Sequence, residues 1–143
     1  MSFNAYLSFN GNCAEAFAFY ETTLGGRIEA MLTHRETPAS EQTPAEWQDK
    51  IIHACMTLNG TMIMGGDVPP QMYQPMTGFS VNVVMPTATE AERVFAALST
   101  GGTVQMPMEE TFWAERFGMA TDRFGVPWMV NCFKPNPDGE NCQ

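Results

Sequence analysis

Apolar and polar positions change period several times along this chain, and each change marks an element. From Phe3 to Phe9, apolar Phe3, Ala5, Leu7 and Phe9 alternate with Asn4, Tyr6 and Ser8, the period of a strand with one buried face. Asn10 and Gly11 end it. From Asn12 the spacing becomes Cys13, Ala16, Phe17, Tyr20 and Leu24, one face of a helix, with Asn12 and Glu15 placed as a capping-box-like start and Gly25-Gly26 as the stop. Strands are expected over Arg27–Thr33, Ile51–Leu58 and Thr61–Gly65, the last two joined by Asn59-Gly60, a dipeptide that suits a tight hairpin. The order is β-α-β-β-β.

The same order returns after the Pro-rich stretch Asp67–Pro75. A strand is expected over Phe79–Met85, then a helix opened by Thr87 and Glu90 with Ala88, Ala91, Val94, Phe95 and Leu98 on one face, stopped at Gly101-Gly102. Strands at Thr103–Met108, Arg116–Thr121 and Val126–Phe133 complete the set. A shift of 76 residues lays Phe3 on Phe79, Leu7 on Val83, Phe19 on Phe95, Gly25 and Gly26 on Gly101 and Gly102, and Ile28 on Val104. The chain reads as an internal duplication. The expected fold is α+β: two βαβββ modules, residues 1–68 and 76–133, forming a curved mixed sheet around a cleft, with 134–143 a flexible tail. Phe3, Leu7, Phe79 and Val83 would face the helices, leaving Asn4, Tyr6, Ser8, Ser80 and Asn82 to line the cleft. Between His34 and Lys50 the first module carries a long Pro-, Thr- and acid-rich connection, of the kind that is often functional or mobile.

Charge narrows the partners. Sixteen acidic residues against seven basic give a net charge of -9 over 143 residues, the opposite of what phosphate-backbone binding demands, so nucleic acid is excluded. No apolar run approaches the roughly 20 residues of a spanning helix, so no membrane role is expected. Met1–Asn10 lacks the basic start of a signal peptide, which makes a cytoplasmic location the expectation. Cys13, Cys55, Cys132 and Cys142 are scattered without a C-x-x-C pair. That spacing excludes a zinc finger, and reduced thiols are expected.

Candidate chemistry is sparse. His53 and Cys55 share one face of a predicted strand, which makes His53 a candidate general base and Cys55 a candidate nucleophile or soft ligand, although two residues of strand separate them by about 6.5–7 Å. Glu109 and Glu110 read as a solvated acidic edge, and Asp122 as the cap of a turn through Gly125. His34, at the start of the long connection, reads as solvated. Phe112, Trp113 and Phe117 offer flat aromatic surface suited to a planar ligand, while Trp128, between Val126 and Val130, reads as core.

Several runs carry a family resemblance: Tyr6-Leu-Ser-Phe-Asn-Gly-Asn-Cys13, Phe19-Tyr20, Leu24-Gly-Gly26, Ile52-His-Ala54, Asp67-Val-Pro-Pro70, Glu110-Thr-Phe-Trp113, Phe117-Gly118 and Thr121-Asp-Arg-Phe-Gly-Val-Pro-Trp-Met-Val-Asn131. With the paired βαβββ pattern, they make the chain resemble the PhnB-like branch of the vicinal oxygen chelate superfamily, which includes glyoxalase I, extradiol dioxygenases and bleomycin-resistance proteins. Members of this branch have carried a 3-demethylubiquinone-9 3-methyltransferase label, yet the sequence holds no Gly-rich loop of the Rossmann type. The resemblance implies a divalent metal held by His on the first strand and Glu on the last strand of each module. Those positions fall at Asn4, Met64, Ser80 and Met129, none of them an imidazole or carboxylate. No metal or other cofactor is therefore expected.

What remains is a protein binding a small organic molecule through Tyr6, Ser8, Cys55, Met64, Ser80, Asn82, Trp113, Met129 and Asn131, with homodimerisation implied by the resemblance. The alternatives are an enzyme, either a glyoxalase- or dioxygenase-like lyase or a metal-free catalyst using His53, and a subunit without any small-molecule role.

Overall fold

A computed structural model describes residues 1–135, so the expected tail lies largely outside the described residues. The chain divides into two compact units, Met1–Met76 and a second that begins at Thr77. In the first, β1 (Ala5–Phe9) leads into α1 (Cys13–Leu24), followed by β2 (Arg27–Thr33), β3 (Ile51–Leu58) and β4 (Thr61–Asp67). In the second, β5 (Val81–Val84), α2 (Ala88–Ser99), β6 (Thr103–Glu109), β7 (Ala114–Thr121) and β8 (Pro127–Phe133) repeat that order. Each unit holds one four-stranded mixed sheet, ordered β1-β4-β3-β2 and β5-β8-β7-β6. The first strand of each runs parallel to the last, and the other neighbours are antiparallel.

The helical spacing read from the sequence is the buried face. Cys13, Ala16, Phe17 and Tyr20 of α1 meet Leu7 and Phe9 of β1 and Ala54 and Met56 of β3, all buried, with the Phe17 ring edge-on to Phe9 at 6.1 Å. In the second unit Ala91, Val94, Phe95 and Leu98 cover Ala120, Trp128 and Val130. Each large side chain so buried contributes about 1.5–3 kcal/mol. Alternation along a strand then sends the intervening residues to the face that carries no helix.

Two first-strand expectations need correction. Phe3 is 97 % exposed and Phe79 45 % exposed, and both precede their strands rather than facing a helix. Register explains this. Ala5 pairs with Ile63, so Phe3 would stand opposite Thr61, the first residue of β4. Val81 pairs with Trp128, so Phe79 would lie opposite Val126, ahead of β8. Both ladders run out there.

The α1 start also differs. The Asn12 side chain makes no cap hydrogen bond; instead Asp67, at the end of β4, accepts from Cys13 N at 3.0 Å and from Ile51 N at 2.8 Å. One buried carboxylate thereby satisfies a helix-start amide and fixes the entry of β3. Thr87 does cap α2, accepting from Glu90 N at 3.1 Å, while the Glu90 carboxylate turns to Arg93 at 2.9 Å. Gly25 closes α1 in the left-handed region at φ 76°. Thr100 closes α2 before Gly101. At Gly26 a Cβ would come within 2.8 Å of the Thr57 carbonyl oxygen, and its duplicate Gly102 is pressed against the Thr121 carbonyl in the same way, so bare backbone is required where each second strand meets its neighbour.

Candidate functional site

In the first unit, the helix-free face of the sheet carries five of the expected site residues. Met64 is opposite Tyr6 on β1 and Cys55 on β3, Ser8 is opposite Gly66, and His53 is opposite Leu32 on β2. Tyr6 lays its ring along the His53 imidazole, centroids 6.1 Å apart and planes 24° off parallel, and its hydroxyl donates to Ile52 O at 3.4 Å. Partial burial raises the Tyr6 phenol above its usual value, with Cys13 adding to the shift. Among the described residues no hydrogen bond joins His53 to Cys55, in keeping with the two residues of strand that separate them.

The connection from His34 to Lys50 is pinned rather than loose. It folds into three 3₁₀ turns, His34–Glu36, Pro38–Gln42 and Ala45–Trp47, closed by His34 N to Lys50 O at 3.1 Å and Arg35 N to Gln48 O at 2.9 Å. Gln48 Nε2 donates to both Ser40 O and Thr43 O. His34, read as solvated, has Nδ1 3.2 Å from Thr43 Oγ1, and its Nε2 is buried with no partner among the described residues. Where this connection approaches Pro69 and Pro70, a cavity of about 410 Å³ is lined by Pro44, Glu46, Trp47, Pro69, Pro70 and Gln71. No sequence motif pointed to it.

The second unit gathers four expected residues around one larger space. Asn82, Trp113, Met129 and Asn131 line a cavity of about 730 Å³ with Phe112, Phe117 and Phe133. Register puts them there: Met129 is opposite Asn82 on β5 and Met119 on β7, and Asn131 is opposite Phe117. Trp113 lies on the connection between β6 and β7. Its carbonyl accepts from Lys134 N at 3.0 Å, Thr111 N donates to Ala114 O at 3.0 Å, and the Lys134 ammonium binds Glu110 at 2.7 Å. That hydrogen bond and the charge behind it hold the Glu110 carboxyl below the usual range, so one carboxylate of the expected acidic edge is paired with Lys134 beside Trp113. Edge-on packing fixes the rings, Trp113 to Phe117 at 5.2 Å and Phe112 to Trp113 at 4.8 Å. Polar groups form a single line: Trp113 Nε1 donates to Asn131 Oδ1 at 3.2 Å, and Asn131 Nδ2 to Asn82 Oδ1 at 2.5 Å. Asn131 is 4 % exposed.

Ser80 falls before β5 and is not among the residues lining the cavity. Phe133 was missed, although it continues the alternation of Met129 and Asn131. Trp128 is core, its Nε1 donating to Asp122 Oδ2 at 2.8 Å, and Asp122 caps its turn through Phe124 N and Val126 N.

Comparison with known proteins places these features. The model of the family described as 3-demethylubiquinone-9 3-methyltransferase matches residues 2–131. The chain belongs to this family. Through it, the chain stands in the PhnB-like branch of the vicinal oxygen chelate superfamily, and the duplicated βαβββ architecture is that superfamily's. Protein YjdN of Escherichia coli is 38 % identical over 96 % of this chain and 99 % of its own length. The crystal structure of PA1353 from Pseudomonas aeruginosa is 47 % identical with a TM-score of 0.86, covering 94 % of this chain and 99 % of that one. The PhnB protein of Bacillus cereus is 25 % identical with a TM-score of 0.75, over 92 % and 99 %.

Membership in the PhnB-like branch raises two chemistries that the residues can be tested against. For the methyl transfer in the family's description, the strand-to-helix connections of this chain are Asn10-Gly11-Asn12 and Met85-Pro86-Thr87, neither of them the Gly-rich turn that holds a nucleotide-like cofactor. For the superfamily's divalent metal, the expected first-strand positions are Asn4 and Ser80. Asn4 precedes β1 and donates to Ser2 Oγ at 3.3 Å, and Ser80 precedes β5; the residues beside Met64 and Met129 are Tyr6 and Asn82. A phenol, a carboxamide and two thioethers do not fit a hard divalent ion, which prefers imidazole and carboxylate. Among the described residues no three of His, Cys, Asp or Glu come together as a metal site. Nor, among them, is any helix long and apolar enough to cross a membrane.

Proposed function

We propose that this PhnB-like protein binds a small, flat, largely apolar organic molecule in the cavity of its second unit, without a metal. The observation that carries the reading is the cavity wall. Four aromatic rings and one thioether line an open cleft of about 730 Å³, within the size range of small-molecule pockets, and the carboxamides of Asn82 and Asn131 stand among them as the few polar groups such pockets use. Trp113 is held edge-on to Phe117 and by the Lys134 N hydrogen bond to its carbonyl, so this part of the wall needs little ordering on binding, and Met129 supplies an adaptable surface. The net charge of -9 favours approach of neutral or cationic molecules over anions. A cytoplasmic location and pairing of two chains, giving twice the 15.8 kDa chain mass, belong to the same proposal.

Thermal melting of the full chain against a panel of bicyclic aromatics tests it. A ligand present at a hundred times its Kd adds about 2.7 kcal/mol to the native state, which for a chain of this size raises Tm by about 8 °C. Trp113→Ala should abolish that shift. If no aromatic compound shifts Tm, the reading fails.

A second reading keeps one observation in its favour. His53 is held against Tyr6 on the same sheet face as Cys55 and Met64, an arrangement that supports a metal-free reaction with His53 as base. Loss of turnover in His53→Ala, with the Tm shift intact, would favour it.

A further inference from the structure

Resting on that reading, we propose that Asn82 makes the cavity selective for ligands that present a hydrogen-bond acceptor, a carbonyl or similarly exposed oxygen, over ligands that present only a donor. Carboxamide orientation is ordinarily ambiguous, because oxygen and nitrogen are near-identical in shape and must be assigned from their partners. Here the partners settle it. An indole N–H can only donate, so the Asn131 atom 3.2 Å from Trp113 Nε1 is its oxygen. The Asn131 nitrogen then faces Asn82 at 2.5 Å, and the Asn82 atom that receives it is again the oxygen.

One direction thus runs through the whole line, from Trp113 to Asn131 to Asn82, and it ends on the Asn82 amino group. Asn131 cannot turn independently of this line: it is almost fully buried, and turning its carboxamide would set its amino group against the Trp113 N–H. Asn82 is exposed and lines the cavity, and among the described residues its Nδ2 has no partner. The rest of the wall is Phe112, Trp113, Phe117, Met129 and Phe133, whose only strong polar hydrogen is the indole N–H already used by Asn131.

A ligand seated on the rings therefore meets N–H groups at the polar end. An acceptor oxygen completes the line. A donor-only ligand meets N–H with N–H, and reversing both amides to receive it would point the Asn131 amino group at the Trp113 N–H, leaving buried donors unsatisfied.

Three bicyclic probes of similar size separate these terms: coumarin, which only accepts, indole, which donates, and indene, which does neither. Isothermal titration of each into the full chain should show coumarin binding about tenfold more tightly than indene, a difference of 1.4 kcal/mol, and indole no more tightly than indene. Asn82→Asp keeps the shape and the oxygen that receives Asn131 but replaces the free amino group with an acceptor. It should remove the coumarin advantage and give one to indole. Asn82→Leu should bring coumarin to the level of indene. Equal binding of all three probes to the wild-type chain, or an unchanged ranking in Asn82→Asp, would overturn this inference while leaving the cavity reading intact. If none of the probes binds, the cavity reading and this inference fall together.

Discussion

Asp122 offers the sharpest test of the forces that shape the second unit. Its carboxylate is 3 % exposed and accepts from Phe124 N at 2.9 Å and Val126 N at 3.0 Å through one oxygen, and from Trp128 Nε1 at 2.8 Å through the other. Asp122→Asn conserves volume yet can supply only one acceptor oxygen. If that oxygen stays on the two backbone amides, the new amino group opposes the indole N–H of a buried tryptophan; if the amide flips, two backbone donors are stranded instead. A hydrogen bond to a charged group is worth about 1.5–3 kcal/mol, and a stranded buried donor costs about 1–3 kcal/mol. Easier burial of a neutral side chain offsets part of this. The net expectation is a loss of about 3 kcal/mol. With a urea slope of about 2 kcal/mol/M, the unfolding midpoint followed by tryptophan fluorescence should fall by about 1.5 M with the slope unchanged. A fall of less than about 0.5 M would refute the claim that this carboxylate organises the β7–β8 turn and, through it, the strand carrying Met129 and Asn131.

Two further outcomes follow from the first unit. Burial, and secondarily the nearby Asp67 carboxylate, push the Cys13 thiol well above its ordinary 9.0. The native state therefore keeps a proton that the unfolded chain loses above that pH, so stability is fully present below it and falls as pH rises beyond it, by up to about 1.4 kcal/mol per pH unit for one thiol. Cys13→Ala should flatten that alkaline decline in urea unfolding measured from pH 8 to 10.5, and an unchanged slope would rule the thiol out as its source. The paired glycines closing α1 should also part company on substitution. Gly25→Ala meets open space and pays only for its positive φ, about 1 kcal/mol, whereas Gly26→Ala drives a methyl into the Thr57 carbonyl and should cost about 2–3 kcal/mol; melting temperatures in the reverse order would refute the close-contact account.

The duplication was legible because period is a property of neighbours in sequence. Both helices, the β2 and β3 boundaries and the Asn59-Gly60 hairpin follow from local spacing, and the turn adopts positive φ at both positions, 49° and 81°, as a tight hairpin demands. What escaped was set by partners distant in sequence. Phe3 and Phe79 continue the alternation of their strands, yet the ladders beside them have ended, and no local pattern records where a parallel neighbour stops. The α1 start was misread for the same reason. Asn12 has the right residue type for a cap, but Asp67, 54 positions from Cys13, takes the amide first.

The site divides along the same line. Alternation along β8 put Met129 and Asn131 on one face and could have added Phe133, because a strand's faces are fixed by counting. The 76-residue shift that superposes the modules also superposes Tyr6 on Asn82, and the register places those two, rather than Asn4 and Ser80, beside Met64 and Met129. One module therefore presents a phenol over an imidazole where the other presents a carboxamide beneath aromatic rings. Duplication fixed the backbone positions and left their chemistry free to diverge. In the first unit the result is a sheet face bearing His53, Cys55 and Met64. In the second it is a ring-lined cleft whose polar line, Trp113 to Asn131 to Asn82, has a direction that no residue type alone reveals, and the selectivity proposed for the site rests on that direction.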